Sequence, residues 1–151
     1  MISDILLLRF FEKYKEYAAL FIRVIVGSFI VYGVQDNVFS SHDMERFAAF
    51  LEARGTPYPM FAAFLSAYTQ MICGVCIALG AAIRLVSIPF IINFVAAIVI
   101  AHRGDTFQGM FPALMMIFAG LFFLFNGAGK PSVDDWVEKR RAGRAALSLA
   151  G

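Results

Sequence analysis

The hydrophobic and polar positions of this chain occur in long blocks rather than in the short periods of a soluble protein. Four blocks are almost wholly apolar, and they cover residues 18–35, 58–82, 85–101 and 110–125. Each is close to the roughly 20 residues with which an α-helix crosses a hydrocarbon core. A backbone in lipid must satisfy its own hydrogen bonds, and no block alternates as a barrel strand does. We therefore predict an all-α bundle of four transmembrane helices.

The distribution of lysine and arginine predicts how this bundle sits in the membrane. Nine of these residues fall before the first block, between the second and third, or after the fourth, whereas three fall in the other two connections. The side of a membrane protein that is rich in lysine and arginine is the cytoplasmic side. We therefore expect both termini in the cytoplasm.

Three further segments outside the blocks have an amphipathic or capped helical pattern, all within a single membrane domain. Residues 1–17 mix apolar and charged positions as an interfacial helix in the cytoplasmic headgroup region does. Residues 40–57 predict a short helix in the first external loop, with Ser40 as its N-cap. Residues 132–151 form a basic cytoplasmic tail, in which Ser132 is placed to cap a last helix.

The composition supports a lipid environment and excludes one class of partner. The chain of 151 residues is 60% hydrophobic and 16% charged, against roughly 45–50% and about 25% in soluble domains. A globule of this size cannot hide so much apolar surface from water. The net charge of +2 is small and the basic residues lie near the block ends, so nucleic acid is not an expected partner. The expected partner is the lipid bilayer.

One charged residue, Arg23, lies inside a predicted span, about 8 Å from its cytoplasmic start by helical rise. A charge there costs about 2.5–3.5 kcal/mol on insertion scales and needs a partner or an escape route. Its side chain either snorkels to cytoplasmic phosphates or faces the bundle interior. Gln70 and Asn93 fall at a similar depth. The three either form one polar cluster that serves as a ligand site, or Gln70 and Asn93 simply join helices by hydrogen bonds.

Cys73 and Cys76 have the Cys-x-x-Cys spacing of a redox thiol pair. They lie within the second span next to small residues such as Gly74, which let helices approach closely. A redox thiol needs solvent access, which hydrocarbon does not provide. We expect a packing role, with thiol redox chemistry as the alternative.

Several polar residues near the external ends of the spans are placed to line a mouth or a headgroup pocket. They are Tyr32, Gln35, Asp36, His102 and Gln108. Tyrosine at this depth is also common as an interfacial anchor, which is the alternative. The second histidine, His42, lies in the first external connection, so no inward-facing histidine pair is expected and no metal or haem site is predicted.

Four motifs in a fixed order resemble the DoxX family of small four-helix membrane proteins. They are Tyr-Gly-Val-Gln-Asp at 32–36, Gly-Thr-Pro-Tyr-Pro at 55–59, Gly74 and Gly80 followed by Arg84, and Gly-Ala-Gly-Lys-Pro-Ser-Val-Asp at 127–134. The last is similar to the family's Gly-x-Gly-basic-x-Ser-x-Asp pattern, and Arg23 matches its intramembrane arginine. The resemblance covers residues 20–134 and implies the four-helix membrane fold.

The chain departs from the family pattern at several ionisable positions. Gln70 and Met110 stand where many members carry an acidic residue, and Tyr32 and Asp36 stand where they carry histidine and lysine. These are the groups on which a proton-coupled role would depend.

The resemblance implies a function only in outline. Members resemble the small membrane subunit of thiosulfate:quinone oxidoreductases, and others are tied to thiol and oxidative-stress systems. It implies a bacterial inner-membrane protein that anchors or assists a quinone-linked redox complex, contacts other membrane subunits and is no enzyme on its own. Quinone is the cofactor it suggests, near Arg23, Gln70 and Asn93. The alternatives are a purely structural packing subunit and a protein that binds lipid or a small molecule in the bundle cavity.

Overall fold

The structure, a computed structural model, describes residues 8–149, which fold into helices joined by short connections. A 3₁₀ helix, Arg9–Tyr17, comes first. Six α-helices follow, and no strand occurs among these residues: α1 Ala18–Phe39, α2 Ser41–Ala53, α3 Pro59–Leu79, α4 Ile83–Ile100, α5 Phe107–Asn126 and α6 Val133–Leu149. Four of them, α1, α3, α4 and α5, are long and apolar enough to cross a membrane. The prediction of an all-helical chain with four spans is confirmed for the described residues.

The helix ends differ from the predicted bounds by a few residues, for local reasons. Helix α3 ends at Leu79 because Gly80 takes a left-handed conformation, with φ of 67°. Helix α4 begins at Ile83, directly after Ala82, whose φ is also positive. At the first connection, the Ser40 hydroxyl accepts a hydrogen bond from the Asp43 amide at 3.3 Å. This cap separates α1 from α2, as the sequence predicts.

The 3₁₀ helix runs directly into α1 and is richly aromatic on its surface. All four of its aromatic side chains are exposed: Phe10, Phe11, Tyr14 and Tyr17. The Lys13 ammonium lies over the Phe10 ring, 3.9 Å from its centroid. Aromatic and basic side chains in this combination are typical of the membrane interface. The rest of the predicted interfacial helix, residues 1–7, lies outside the described residues, as do residues 150–151.

The closest helix crossing joins α1 to α3 through small residues. A Cβ atom on Gly27 would lie 2.7 Å from the Cβ of Ala78 and 2.7 Å from the carbonyl oxygen of Gly74. Real Cβ atoms do not approach so closely. Small residues that let two backbones meet are the usual basis of helix association in membranes.

The buried side chains form two clusters at opposite ends of the bundle. We call the end where α1 begins and α3 and α5 finish the terminal end, and the other the α2 end. The cluster nearer the terminal end includes Ile77, Phe90 and Phe123. The cluster at the α2 end joins Met44 and Leu51 of α2 to residues of α1 and α3. Only 17–33% of the most apolar stretch of each span is buried, so most of the bundle surface faces lipid.

Candidate functional site

Arg23 is buried at the terminal end of the bundle, with 1% of its surface exposed. Helix α1 directs its side chain across the end of α3 toward the segment that follows α5. There the Arg23 Nη2 atom donates a hydrogen bond to the Pro131 carbonyl oxygen, while its Nε atom has no partner among the described residues. The guanidinium is therefore held by the chain's own backbone inside the protein.

Gly80 makes room for this guanidinium. A Cβ atom at this position would overlap the Arg23 side chain and would lie 2.6 Å from the Cβ of Ser132. The positive φ of Gly80 is a conformation that residues with a side chain rarely adopt. Space and backbone conformation thus both require glycine at the end of α3.

Residues 127–134, the clasp segment, tie the helix ends together at this end of the bundle. The Lys130 amide donates to the Glu16 carbonyl oxygen at 2.7 Å, just before α1. The Asp134 amide donates to the Gly80 carbonyl oxygen at 3.0 Å. Gly129 allows the approach, because a Cβ there would lie 2.5 Å from the Glu16 oxygen. The clasp segment therefore closes the terminal end.

The Asp134 carboxylate caps helix α4 and also faces the buried cation. Its two oxygens accept hydrogen bonds from the Ala82 amide at 2.6 Å and the Ile83 amide at 3.0 Å. These amides begin α4, where a helix favours negative charge. The same carboxylate attracts Arg23 electrostatically. One acidic side chain thus stabilises both a helix start and a buried arginine.

A second charge pair lies at the surface of the same region. The Lys130 Nζ atom and the Glu16 Oε2 atom are 2.9 Å apart. The hydrogen bond to Glu16 raises the pKa of Lys130 above its usual range, and the charge of Glu16 adds to the effect. Both side chains are solvent-exposed, so water and salt weaken the pair.

The structure does not join Arg23, Gln70 and Asn93 by hydrogen bonds within residues 8–149. The Gln70 Nε2 atom donates to the Ser66 hydroxyl of its own helix at 3.1 Å. Helical rise puts Gln70 and Asn93 about 13–15 Å from the terminal end, deeper than Arg23 at about 8 Å. The Asn93 Nδ2 atom is buried without a partner in the described chain. This amide is therefore a free hydrogen-bond donor inside the bundle. The ligand site predicted at Arg23, Gln70 and Asn93 stays a prediction.

The two cysteines lie in the packed region around Gly74. Cys73 is 3% exposed, and its thiol donates to the Val86 carbonyl oxygen at 3.4 Å. Cys76 is half-buried, and neither cysteine forms a disulfide with a described residue. These surroundings are those of a contact between helices. Thiol redox chemistry at the two cysteines stays a prediction.

The predicted polar mouth residues do not hydrogen-bond to one another in the described part of the chain. Tyr32 is 76% exposed and points away from the bundle. The His102 Nδ1 atom lies 2.9 Å from the Asp105 Oδ2 atom, within its own loop. Gln35 is half-buried, whereas Asp36 and Gln108 are exposed. Among residues 8–149, no three His, Cys, Asp or Glu side chains are grouped closely enough to hold a metal ion.

Comparison with known proteins identifies the family. The DoxX family model matches residues 18–103, more than half of the chain. This chain belongs to the DoxX family. It is also 30% identical over 135 residues to the uncharacterized membrane protein Rv3486 of Mycobacterium tuberculosis, an alignment that covers 79% of this chain and 80% of the relative. The chain is thus a multi-pass membrane protein, and no solved structure matches it.

The matched DoxX segment runs from the start of α1 to just beyond α4. It includes Arg23 and Gly80 but ends before the clasp segment. From the clasp motif we predicted the DoxX resemblance and the Ser132 cap, which the Asp135 amide contacts at 3.1 Å. The sequence did not reveal Asp134 and the Pro131 carbonyl as partners of α4 and Arg23. The available signal was the Gly-x-Gly pattern followed by an acidic residue, which indicates a tight turn before a capping carboxylate.

Proposed function

We propose that this DoxX protein is an accessory, anchoring subunit of a larger membrane assembly. The observation that carries the proposal is a polar stripe on the outward face of α1. Ser28, Tyr32 and Asp36 follow one another at four-residue intervals on this helix, and all three are exposed. Residues spaced by four share a helix face.

Polar groups on this face have no satisfactory partner in hydrocarbon. Lipid tails offer no hydrogen bonds, so an exposed polar side chain deep within a span, such as that of Ser28, is costly. Such side chains commonly bind a neighbouring helix. Ser28 lies near the middle of α1 (Ala18–Phe39), where lipid is driest. A partner subunit that packs on α1 would satisfy the stripe.

The proposal includes an orientation and a location. The clasp segment, Arg84 and the basic residues of α6 all lie at the terminal end or beyond it, and this side carries the excess of lysine and arginine. The positive-inside rule then puts both termini in the cytoplasm. The resemblance to DoxX proteins leads us to propose a bacterial inner membrane as the location.

The partner we propose is a quinone-linked redox complex. The support is the family resemblance together with the free Asn93 donor inside the bundle, which suits a quinone carbonyl oxygen. Quinone extracted from the purified assembly would be measured for wild type and for Asn93→Leu, with Arg23 and Gln70 unchanged. Equal quinone content would remove the site from the proposal and leave the subunit role standing.

The experiment that tests the subunit role is native electrophoresis of membranes solubilised in mild detergent. Ser28→Leu combined with Tyr32→Leu is expected to convert a large complex into the free 16.7 kDa chain. Phe61→Leu combined with Phe118→Leu is the matched control, because both side chains are exposed within spans, at 69% and 64%, and carry no polar group. A wild-type chain that migrates alone, or a double variant that keeps its partner, contradicts the proposal.

The alternative of a ligand in the bundle cavity has less support from the packing. Ile77, Phe90 and Phe123 are fully buried between the helices, in the cluster nearer the terminal end. Large side chains of this kind fill the space between the helices. A purely structural subunit differs from the redox-linked one only in its partner, so identification of the co-purified proteins distinguishes them.

A further inference from the structure

Two adjoining grooves at the terminal end have no role in the proposed subunit function. The first is polar, with a volume of about 850 Å³, and its lining includes Lys15, Arg84, Gly127 and Lys130. The second is apolar, with a volume of about 710 Å³, and lies between the 3₁₀ helix and α1. Lys15 lines both grooves. The two therefore form one surface that is polar on one side and apolar on the other.

The polar groove contains two cations that are not neutralised within the described chain. The Lys15 side chain is exposed and makes no hydrogen bond or ion pair with residues 8–149. Arg84 is exposed and makes one weak contact there, from its Nη2 atom to the Phe125 carbonyl oxygen at 3.5 Å. Most of the guanidinium donors of Arg84 are thus available for an anion.

Most carboxylates that line the polar groove already have partners. Glu16 pairs with Lys130 at 2.9 Å, and Asp135 pairs with Lys139 at 2.7 Å. The Asp134 carboxylate accepts hydrogen bonds from the two amides at the start of α4 and attracts the Arg23 guanidinium electrostatically. Glu138 is the remaining acidic group of the lining. The two positive charges of Lys15 and Arg84 exceed the single negative charge of Glu138, so the groove favours an anion.

The apolar groove has the lining of a hydrocarbon site at the membrane boundary. Its walls include Phe11, Tyr14, Tyr17, Leu20 and Phe21. It meets the polar groove at the level where α4 begins and α5 finishes, which is the headgroup level of a bundle with these spans. An acyl chain in the apolar groove would place its phosphate beside Lys15.

We propose that this composite surface binds one anionic phospholipid, with its phosphate between Lys15 and Arg84 and an acyl chain along Tyr17 and Phe21. Charge complementarity selects an anionic headgroup, and the apolar wall selects a lipid over a free ion. The site belongs to this chain alone, so it does not depend on a partner subunit.

Native mass spectrometry of the full chain in detergent, titrated with phosphatidylglycerol or phosphatidylcholine, tests the proposal. Wild type is expected to prefer phosphatidylglycerol by at least tenfold, because each nearby cation contributes roughly fivefold to the attraction of an anionic lipid. Lys15→Gln with Arg84→Gln is expected to abolish this preference. Arg140→Gln with Arg144→Gln is the matched control, since it removes the same charge from α6, outside both grooves.

A second pair of variants tests the apolar wall. Phe11→Ala combined with Phe21→Ala is expected to weaken the binding of both lipids by a similar factor. Phe29 and Phe118 are exposed elsewhere on the spans, so Phe29→Ala combined with Phe118→Ala should leave lipid binding unchanged. All these side chains are exposed, and retention of the helical circular dichroism spectrum shows that each variant is folded.

Several outcomes would overturn the proposal. Equal binding of the two lipids would show an apolar surface without headgroup selection. Displacement of phosphatidylglycerol by millimolar inorganic phosphate would show a site for a small anion. A dimer that forms only without lipid would assign the surface to a second copy of the chain.

Discussion

The two ends of the bundle are closed by opposite kinds of interaction. At the α2 end, a short amphipathic helix covers the bundle with Met44, Ala48 and Leu51, which are 3–6% exposed. At the terminal end, the clasp segment closes the bundle through Arg23, Asp134 and backbone hydrogen bonds. One end therefore depends on apolar burial and the other on a buried polar network.

The difference shows what each kind of closure requires. Apolar packing tolerates substitution as long as volume and pattern are kept. A buried charge needs each of its partners, because removal of one leaves the other unsatisfied. The terminal end should therefore be the more sensitive of the two to small chemical changes, and the following variants test this comparison.

The largest effect is expected for Gly80→Ala at the terminal end. The added Cβ overlaps the Arg23 guanidinium, and the alanine backbone must adopt a positive φ. The steric overlap and the backbone strain together cost about 3–5 kcal/mol. Thermal unfolding in detergent, followed by Trp136 fluorescence, measures the loss. Gly33→Ala is the control, because a Cβ at Gly33 meets nothing within 4 Å. Equal effects at both glycines would contradict the model of a crowded terminal end.

The next effect is expected for Leu51→Ala at the α2 end. Leu51 is 6% exposed, and truncation of a buried leucine costs about 2–4 kcal/mol. Phe50→Ala is the control on the same helix, because Phe50 is 41% exposed. Leu51→Met should restore most of the lost stability, since it keeps the volume. If Leu51→Met were as damaging as Leu51→Ala, simple apolar burial would not explain this end.

A somewhat smaller effect is expected for Asp134→Asn. The substitution keeps the shape but removes the charge that faces Arg23 and one acceptor for the α4 amides, at a cost of about 1.5–3 kcal/mol. Asp135→Asn, at the neighbouring position, is the matched control. Among residues 8–149 the Asp135 carboxylate pairs with the exposed Lys139 ammonium at 2.7 Å and contacts no helix-start amide of α4, so the loss of its charge should cost at most about 0.5 kcal/mol. Equal unfolding temperatures for the two variants would remove Asp134 from the network.

The smallest effect is expected for Lys130→Met, and it should depend on pH. Because Glu16 raises the pKa of Lys130 in the folded protein, the pair stabilises the fold fully below the usual lysine pKa of about 10.4. This contribution is lost as the pH rises through the raised value. Wild type and variant should differ by no more than about 2 °C in Tm at neutral pH and converge in strong base. A difference that persists at high pH would exclude the ion pair as its cause.

The sequence predicted the four spans of this molecule but not the polar contacts that close its terminal end. Hydrophobic blocks and the Ser40 cap identify the spans and α2, because lipid imposes length and apolarity on a helix. The partners of Arg23 could not be found in this way. Pro131 contributes a backbone carbonyl, which leaves no trace in a residue pattern, and it lies 108 residues away along the chain. Such pairings depend on tertiary geometry.

The long separation between Arg23 and Pro131 also sets an order for biogenesis. At about 5–20 residues per second, a ribosome needs roughly 5–20 s to add the 108 residues between them. Throughout that interval the first span carries a guanidinium whose acceptor has not yet been made. Headgroups or the insertion machinery must accommodate the charge in the meantime. A nascent chain that stops after Asn126 lacks the Pro131 carbonyl, so its Arg23 depends on such outside partners until the rest of the chain is made.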